Sequence, residues 1–277
     1  MAFKLKKRWR GNKGTSPAIS AVIITGVMVT LVTVALSFAT NLLVVRMAES
    51  EFSSAKQFMQ TLGLQIDDVA WVIGRTETVR YSGRYGDVFF EEALNYTVYI
   101  KTQSTGEFQK LYTTTTGIVC FNMPVERYSV GYDYFELIYP ASDSAFLLSG
   151  ASAPLARIFA VEKLPMTDGS FLRMVTAPII RMINVSLSTT NYVRLYLPVL
   201  SEGEAPKHSD SMTLTGQSVS KISETVTSIK VEISFPMDEY DNLFFQFPQY
   251  EEIIALTGES VLELYVGEVD VALGVHS

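Results

Sequence analysis

Proton transfer or metal chemistry near neutral pH needs particular side chains, and this sequence offers few of them. Its two histidines are His208, in a polar stretch, and His276, beside the C-terminus. Neither position suggests the rigid setting that a general base requires. Ser209, His208 and Asp210 have the residue types of a nucleophile triad, but adjacent residues in a flexible loop cannot hold attack geometry. Asp238, Glu239 and Asp241 could offer oxygen ligands to a hard cation such as calcium, while a solvated turn after Phe235-Pro236 explains them with fewer assumptions. Cys120 is the only cysteine, which excludes an intramolecular disulfide and a multi-cysteine metal site. It lies in the apolar run GIVCF, where a buried, inert thiol is expected. There is no Gly-rich phosphate loop, no His-Glu-x-x-His pair and no EF-hand spacing. The residues point away from an enzyme and call for no cofactor and no metal.

Modification is better represented than catalysis. Asn95-Tyr96-Thr97 and Asn184-Val185-Ser186 are sequons, so Asn95 and Asn184 are glycosylation candidates, each in or beside an expected strand. At the other end of the chain, Lys4, Lys6, Lys7, Arg8, Arg10 and Lys13 stand unopposed by any acidic residue. They lead through Lys13-Gly14-Thr15-Ser16-Pro17 into a stretch from Pro17 to Val45 without one Asp, Glu, Lys or Arg. This junction resembles the class III leader of archaeal type IV pilins and related archaellin-like proteins: a basic head, a Lys-Gly dipeptide, then a Ser-Pro step into an apolar helix. The resemblance covers roughly the first 45 residues. It implies a membrane-embedded prepilin peptidase as a partner, a cut between Gly14 and Thr15, and assembly with other pilin-like subunits through the apolar helix. An early acidic residue in that helix, found in bacterial pilins, is missing here. The exported part is also larger than a simple major pilin needs, which favours a minor pilin, a tip or adhesin subunit, or a pilin-like anchor that never polymerises.

The apolar stretch reads as a membrane span without help from any family. Its 29 residues would make a helix of about 44 Å at ~1.5 Å per residue, more than the ~30 Å hydrocarbon core of a bilayer. A helix pairs all its own backbone groups, as a chain in lipid must. Six cations precede the segment, whereas Arg46 on the far side is followed by Glu49 and Glu51, so the positive-inside bias puts the N-terminus in the cytoplasm and the remainder outside. A secretory signal peptide has a shorter apolar region and a small-residue cleavage site. Small and polar residues in the span, Ser20, Ala21, Thr25, Gly26, Thr30, Thr33, Ala35 and Ser37, would let neighbouring helices approach; in an isolated anchor they are merely tolerated.

Beyond the span, Phe52, Ala55, Met59, Leu62, Ile66, Val69 and Ile73 recur at three- and four-residue steps, the stripe of an amphipathic helix. No proline interrupts residues 18 to 123, so one helix is expected from Pro17 to about Ile73, with Gly63 its weak point and Gly74 its stop. A bend near Asn41 to Ser50 is the alternative. From Arg75 the pattern becomes short alternating runs between turn residues, clearest in Tyr96–Lys101 and Ile229–Ser234. About ten strands are expected. Ser201 to Lys221 reads as an exposed polar loop, and the region from 238 to 256 as holding a short surface helix.

The expected fold class is therefore α+β: a long N-terminal transmembrane helix continuing into a stalk, then a mainly antiparallel, sandwich-like exported domain. The expected divisions are a basic cytoplasmic leader over 1–14, a transmembrane helix over 15–46, an amphipathic stalk over 47–74, and a β-rich domain over 75–277. The net charge of -7 fits this division, since setting aside the six cations of the head leaves -13 on the rest. An acidic body gives no support for nucleic-acid binding. The lipid bilayer is the first expected partner. The sequence leaves two readings of the whole: a processed, polymerising surface subunit, or an uncleaved single-pass protein whose outer domain binds something by itself.

Overall fold

The computed structural model describes residues 17–81, 83–131, 133–166, 169–187, 190–203, 210–237 and 240–273. The first element, helix α1, runs without a break from Pro17 to Val69. The chain divides into two compact units within this helix, between Met47 and Ala48. The first unit contributes a helical segment with nearly every side chain exposed.

The second unit begins with the rest of α1 and continues through strands β1 (Thr76–Arg80), β2 (Asp87–Lys101), β3 (Gln109–Pro124), β4 (Tyr134–Tyr139), β5 (Leu147–Ser149), β6 (Ala156–Met166), β7 (Gly169–Pro178), β8 (Ile180–Leu187), β9 (Thr190–Glu202) and β10 (Ser211–Ser234), then the short helix α2 (Asn242–Phe245) and strand β11 (Glu251–Leu273). Among the described residues the strands form one hydrogen-bonded sheet in the order β4-β6-β7-β3-β2-β10-β11-β9-β8-β5, with β1 also pairing β10. Pairing is antiparallel except for β9 with β11 and β5 with β8. The architecture is a long helix followed by a large, mainly antiparallel sheet.

Period-2 alternation divides this sheet between two cores. Cys120, Phe159, Val161, Val175 and Ala177 face one cluster, which also takes Leu195, Leu197, Leu262, Leu264 and the aromatic residues around α2. Their strand neighbours Val119, Phe121, Ile158, Ala160, Leu172 and Met174 face the other, built on the helix through Phe52, Ala55, Met59, Leu62, Ile66 and Val69. The stripe read from spacing is thus the buried face of α1, up to Val69. Ile73, its last expected member, is exposed because the helix has already ended.

Gly63 does not weaken the helix. It lets β6 approach, since a Cβ there would lie 2.9 Å from Ile158 Cδ1. Past Val69 the chain is stitched to β10: Gly74 N–H donates to Gly216 O at 2.8 Å and Gly216 N–H to Arg75 O at 2.9 Å. A side chain at Gly216 would meet the carbonyl oxygens of Val69 and Val72 at 2.6 and 2.5 Å, so only glycine permits this seam.

Two expected elements differ. The supposed loop Ser201–Lys221 ends in strand at both sides, with Ser201 and Glu202 closing β9 and Ser211–Lys221 opening β10; residues 204–209 lie outside the described set. Met212 and Leu214 carry the apolar alternation there, and their neighbours Ser211 and Thr213 are also buried, which hides the period. Glu251 to Leu256 forms the first part of β11 rather than helix, because Glu251–Ala255 is paired in register with Ser228–Glu232. The surface helix is confined to four residues.

Candidate functional site

The segment of α1 in the first unit is the most distinctive feature. Its most apolar 18-residue window is entirely unburied, and its length and composition suit a bilayer crossing. Val22, Leu31, Leu36, Phe38 and Leu43 are each 60% or more exposed, a state that water would penalise along the whole segment. The hydroxyls of Thr25, Thr30 and Thr33 donate to the carbonyls of Ala21, Gly26 and Val29, each at 2.9 Å. These polar groups are satisfied inside the helix, which removes the cost of placing them in lipid. At about 100° per residue, Gly26, Thr30 and Thr33 lie within roughly 60° of one another. Thr25 and Ser20 lie well to either side, and Ala35 is on the opposite face. The six residues expected to pack helices therefore form one stripe of three and three outliers.

The other sequence candidates separate. Lys13, Gly14 and Thr15 lie outside the described residues, as do His208, Ser209, His276, Asp238 and Glu239. Asp241 caps α2, its side chain accepting from Phe244 N–H at 2.9 Å, which gives this carboxylate a structural role. Asn95 is half-buried in the middle of β2, between β3 and β10, and its carbonyl accepts from the Thr115 hydroxyl at 2.7 Å. Asn184 is exposed in β8, beyond the residues paired with β5, and is the more accessible sequon. Cys120 is buried.

Two arrangements had no signature in the sequence. An open cleft of about 640 Å³ brings together Asp87, Glu202 and Asp210 with Tyr81, Phe89 and Phe90. Burial, then the charges of Asp210 and Asp87, push the Tyr81 phenol above its usual pKa. These carboxylates come from chain positions up to 123 residues apart, and no local pattern could have joined them.

The second arrangement surrounds Glu51, only 8% exposed, on the first turns of α1 in the second unit. Its carboxylate accepts from the N–H groups of Arg84, Tyr85 and Gly86 at 2.9 to 3.1 Å. The neighbouring Phe52 ring packs against Tyr128 at 5.6 Å, and the guanidiniums of Arg84 and Arg127 lie 5.5 and 5.7 Å from the Tyr85 ring centre. A second buried carboxylate, Glu162, holds the loop after β3 by accepting from the Ser129 hydroxyl at 2.6 Å and from Val130 and Gly131 N–H at 2.7 and 3.2 Å. Two loops are thus fixed beside the base of the buried half of α1. Compared with known proteins, the chain matches no family model, no curated protein and no solved structure.

Proposed function

We propose that this chain is a pilin-like cell-surface subunit, processed after Gly14, held in the membrane by its apolar helix and assembled through it. The β-domain then serves adhesion or filament packing. The observation that carries this reading is the unburied apolar length of α1 ahead of a domain whose core is complete without it. Such a surface needs either lipid or a bundle of like helices, and a pilin-like subunit uses both in turn. The basic head and the Lys13-Gly14-Thr15 junction support the processing step.

A second reading, an uncleaved single-pass protein that acts alone, is favoured by one feature. The threonine hydroxyls of the span are already bonded within the helix and require no neighbour. Intact-mass spectrometry of the protein extracted from its native membrane separates the two. The pilin-like reading expects a mature chain starting at Thr15; a chain retaining Met1 and the basic head removes it and leaves the anchor.

A further inference from the structure

We propose that Asn184, and not Asn95, carries an N-linked glycan transferred from a lipid-linked oligosaccharide, and that this glycan covers the unpaired end of the β8 edge. The inference goes beyond anchoring and assembly and rests only on the outward orientation of the β-domain. A transferase must grip the asparagine amide and the hydroxyl two residues later together. In a strand those two side chains share a face, so the question is whether that face and its backbone can be reached.

The two sequons answer it differently. Asn95 and Thr97 lie inside β2, hydrogen-bonded to β3 on one side and to β10 on the other. Both side chains are engaged, Asn95 Oδ1 by the Thr115 hydroxyl at 2.7 Å and the Thr97 hydroxyl by that of Thr113 at 3.0 Å. Asn184 and Ser186 are exposed, and the Asn184 amide bonds to no other described residue. The Ser186 hydroxyl donates to Asn191 Oδ1 at 2.8 Å, a local contact that an enzyme can replace. Asn184 also stands three residues before Leu187, where β8 ends and its pairing with β9 stops. Such ends open at far lower free energy than the strands of a core.

The edge itself supplies the second observation. β5 pairs only Ile180, Arg181 and Met182, so among the described residues no strand covers the outer side of Ile183–Leu187. Edges are normally blunted by charge or proline. The opposite edge, β4, has Asp133 before it, Glu136 within it and Pro140 after it. From Met182 to Val193 there is no charged residue and no proline, while Ile183, Val185 and Leu187 favour strand. A bulky, hydrated glycan on Asn184 blocks that edge as a charge would. In the transfer, the Asn184 amide nitrogen attacks the anomeric carbon of the donor and forms a C–N bond. The C–O bond to the lipid phosphate breaks, the lipid phosphate leaves, and the amide proton passes to a base of the transferase.

The test uses the full chain isolated from its native membrane. Trypsin releases Asn184 in the peptide 182–194 and Asn95 in the peptide 85–101. Mass mapping should find the first carrying glycan, lost in Asn184→Gln and in Ser186→Ala, and the second bare. In detergent, Asn184→Gln should sediment as species several-fold larger than wild type, and adding Val185→Lys, which charges the edge, should reverse this. A membrane-impermeant amine reagent on intact cells should reach the exposed Lys110. If Lys110 is labelled but 182–194 is bare, the glycan assignment is wrong and the outward orientation stands. If Lys110 is labelled only after lysis, the outward reading fails and the inference goes with it. Glycan on 85–101 overturns the selection by exposure, and a glycosylated chain whose Asn184→Gln variant sediments like wild type overturns the covering of the edge.

Discussion

Arg157 is buried, with no exposure of its side chain; the charge of Asp143 acts on it, but among the described residues no carboxylate forms a direct ion pair with it. Its guanidinium donates to the carbonyl oxygens of Phe245 and Gln246, at 2.6 and 3.5 Å, where α2 ends. The rings of Phe247, Phe159 and Phe135 lie 4.7, 5.3 and 5.9 Å from its centre. Burial draws its pKa down to about 10, so it remains a cation near neutral pH. Carbonyl dipoles and ring faces thus do the work that an acid would do elsewhere. Arg157→Ala should cost about 3–5 kcal/mol, from the cavity and the two carbonyls left unpaired. Arg157→Met fills most of the volume and removes the buried charge, so it should cost about half as much or less. Urea unfolding of the two variants, read by tryptophan or far-UV signal, checks the order. No sequence pattern announces this residue. Ala156-Arg157-Ile158 reads as an alternating strand with its polar position turned to solvent, and only the fold shows that position enclosed by α2.

At the scale of elements, Glu263 joins three strands. In β11 it accepts from Arg194 Nε of β9 at 2.7 Å and from Lys221 Nζ of β10 at 2.6 Å. The bonds from Lys221 and Arg194 hold its carboxyl below the ordinary glutamate range. A depressed folded-state pKa means the unfolded chain takes up the proton first. The contribution to stability is therefore complete above the unfolded value near 4.3 and is lost as pH falls through the folded one. Glu263→Gln should flatten the acid side of the stability curve below about pH 5, which denaturation midpoints measured across pH would reveal. The partners of Glu263 show what was legible. The apolar alternation of residues 261–273 is itself a strand pattern. Lys221 closes the expected polar loop Ser201–Lys221, a stretch without a clear apolar period. That half of β10 is strand because β11 supplies its hydrogen bonds, an influence from forty residues away that no local window contains. Glu251–Leu256 failed for the converse reason: its composition suits a helix and its partner strand overrules it.

For the whole molecule, the most legible feature was the one needing no tertiary partner. An uncharged run from Pro17 to Val45 is a property of the chain, and so is the stripe from Phe52 to Val69. The acidic cleft exists only once the ends of β1, β2 and β9 have come together, and the Glu51 clamp only once α1 meets the connection between β1 and β2. The same distinction predicts how the two units respond to damage. Both cores of the second unit draw on residues from Ala48 onward, so the apolar segment contributes nothing to them. Val29→Arg combined with Leu36→Arg should cost about 5–7 kcal/mol of membrane insertion, at ~2.5–3.5 kcal/mol for each arginine near a helix centre. The double variant should move from the membrane pellet to the carbonate-soluble fraction. Its β-sheet circular dichroism and unfolding midpoint should match those of the wild-type chain in detergent. A shared loss of insertion and of sheet structure would mean that the segment also supports the fold. Retention in the pellet with both arginines present would mean that something other than the apolar helix holds the protein to the membrane.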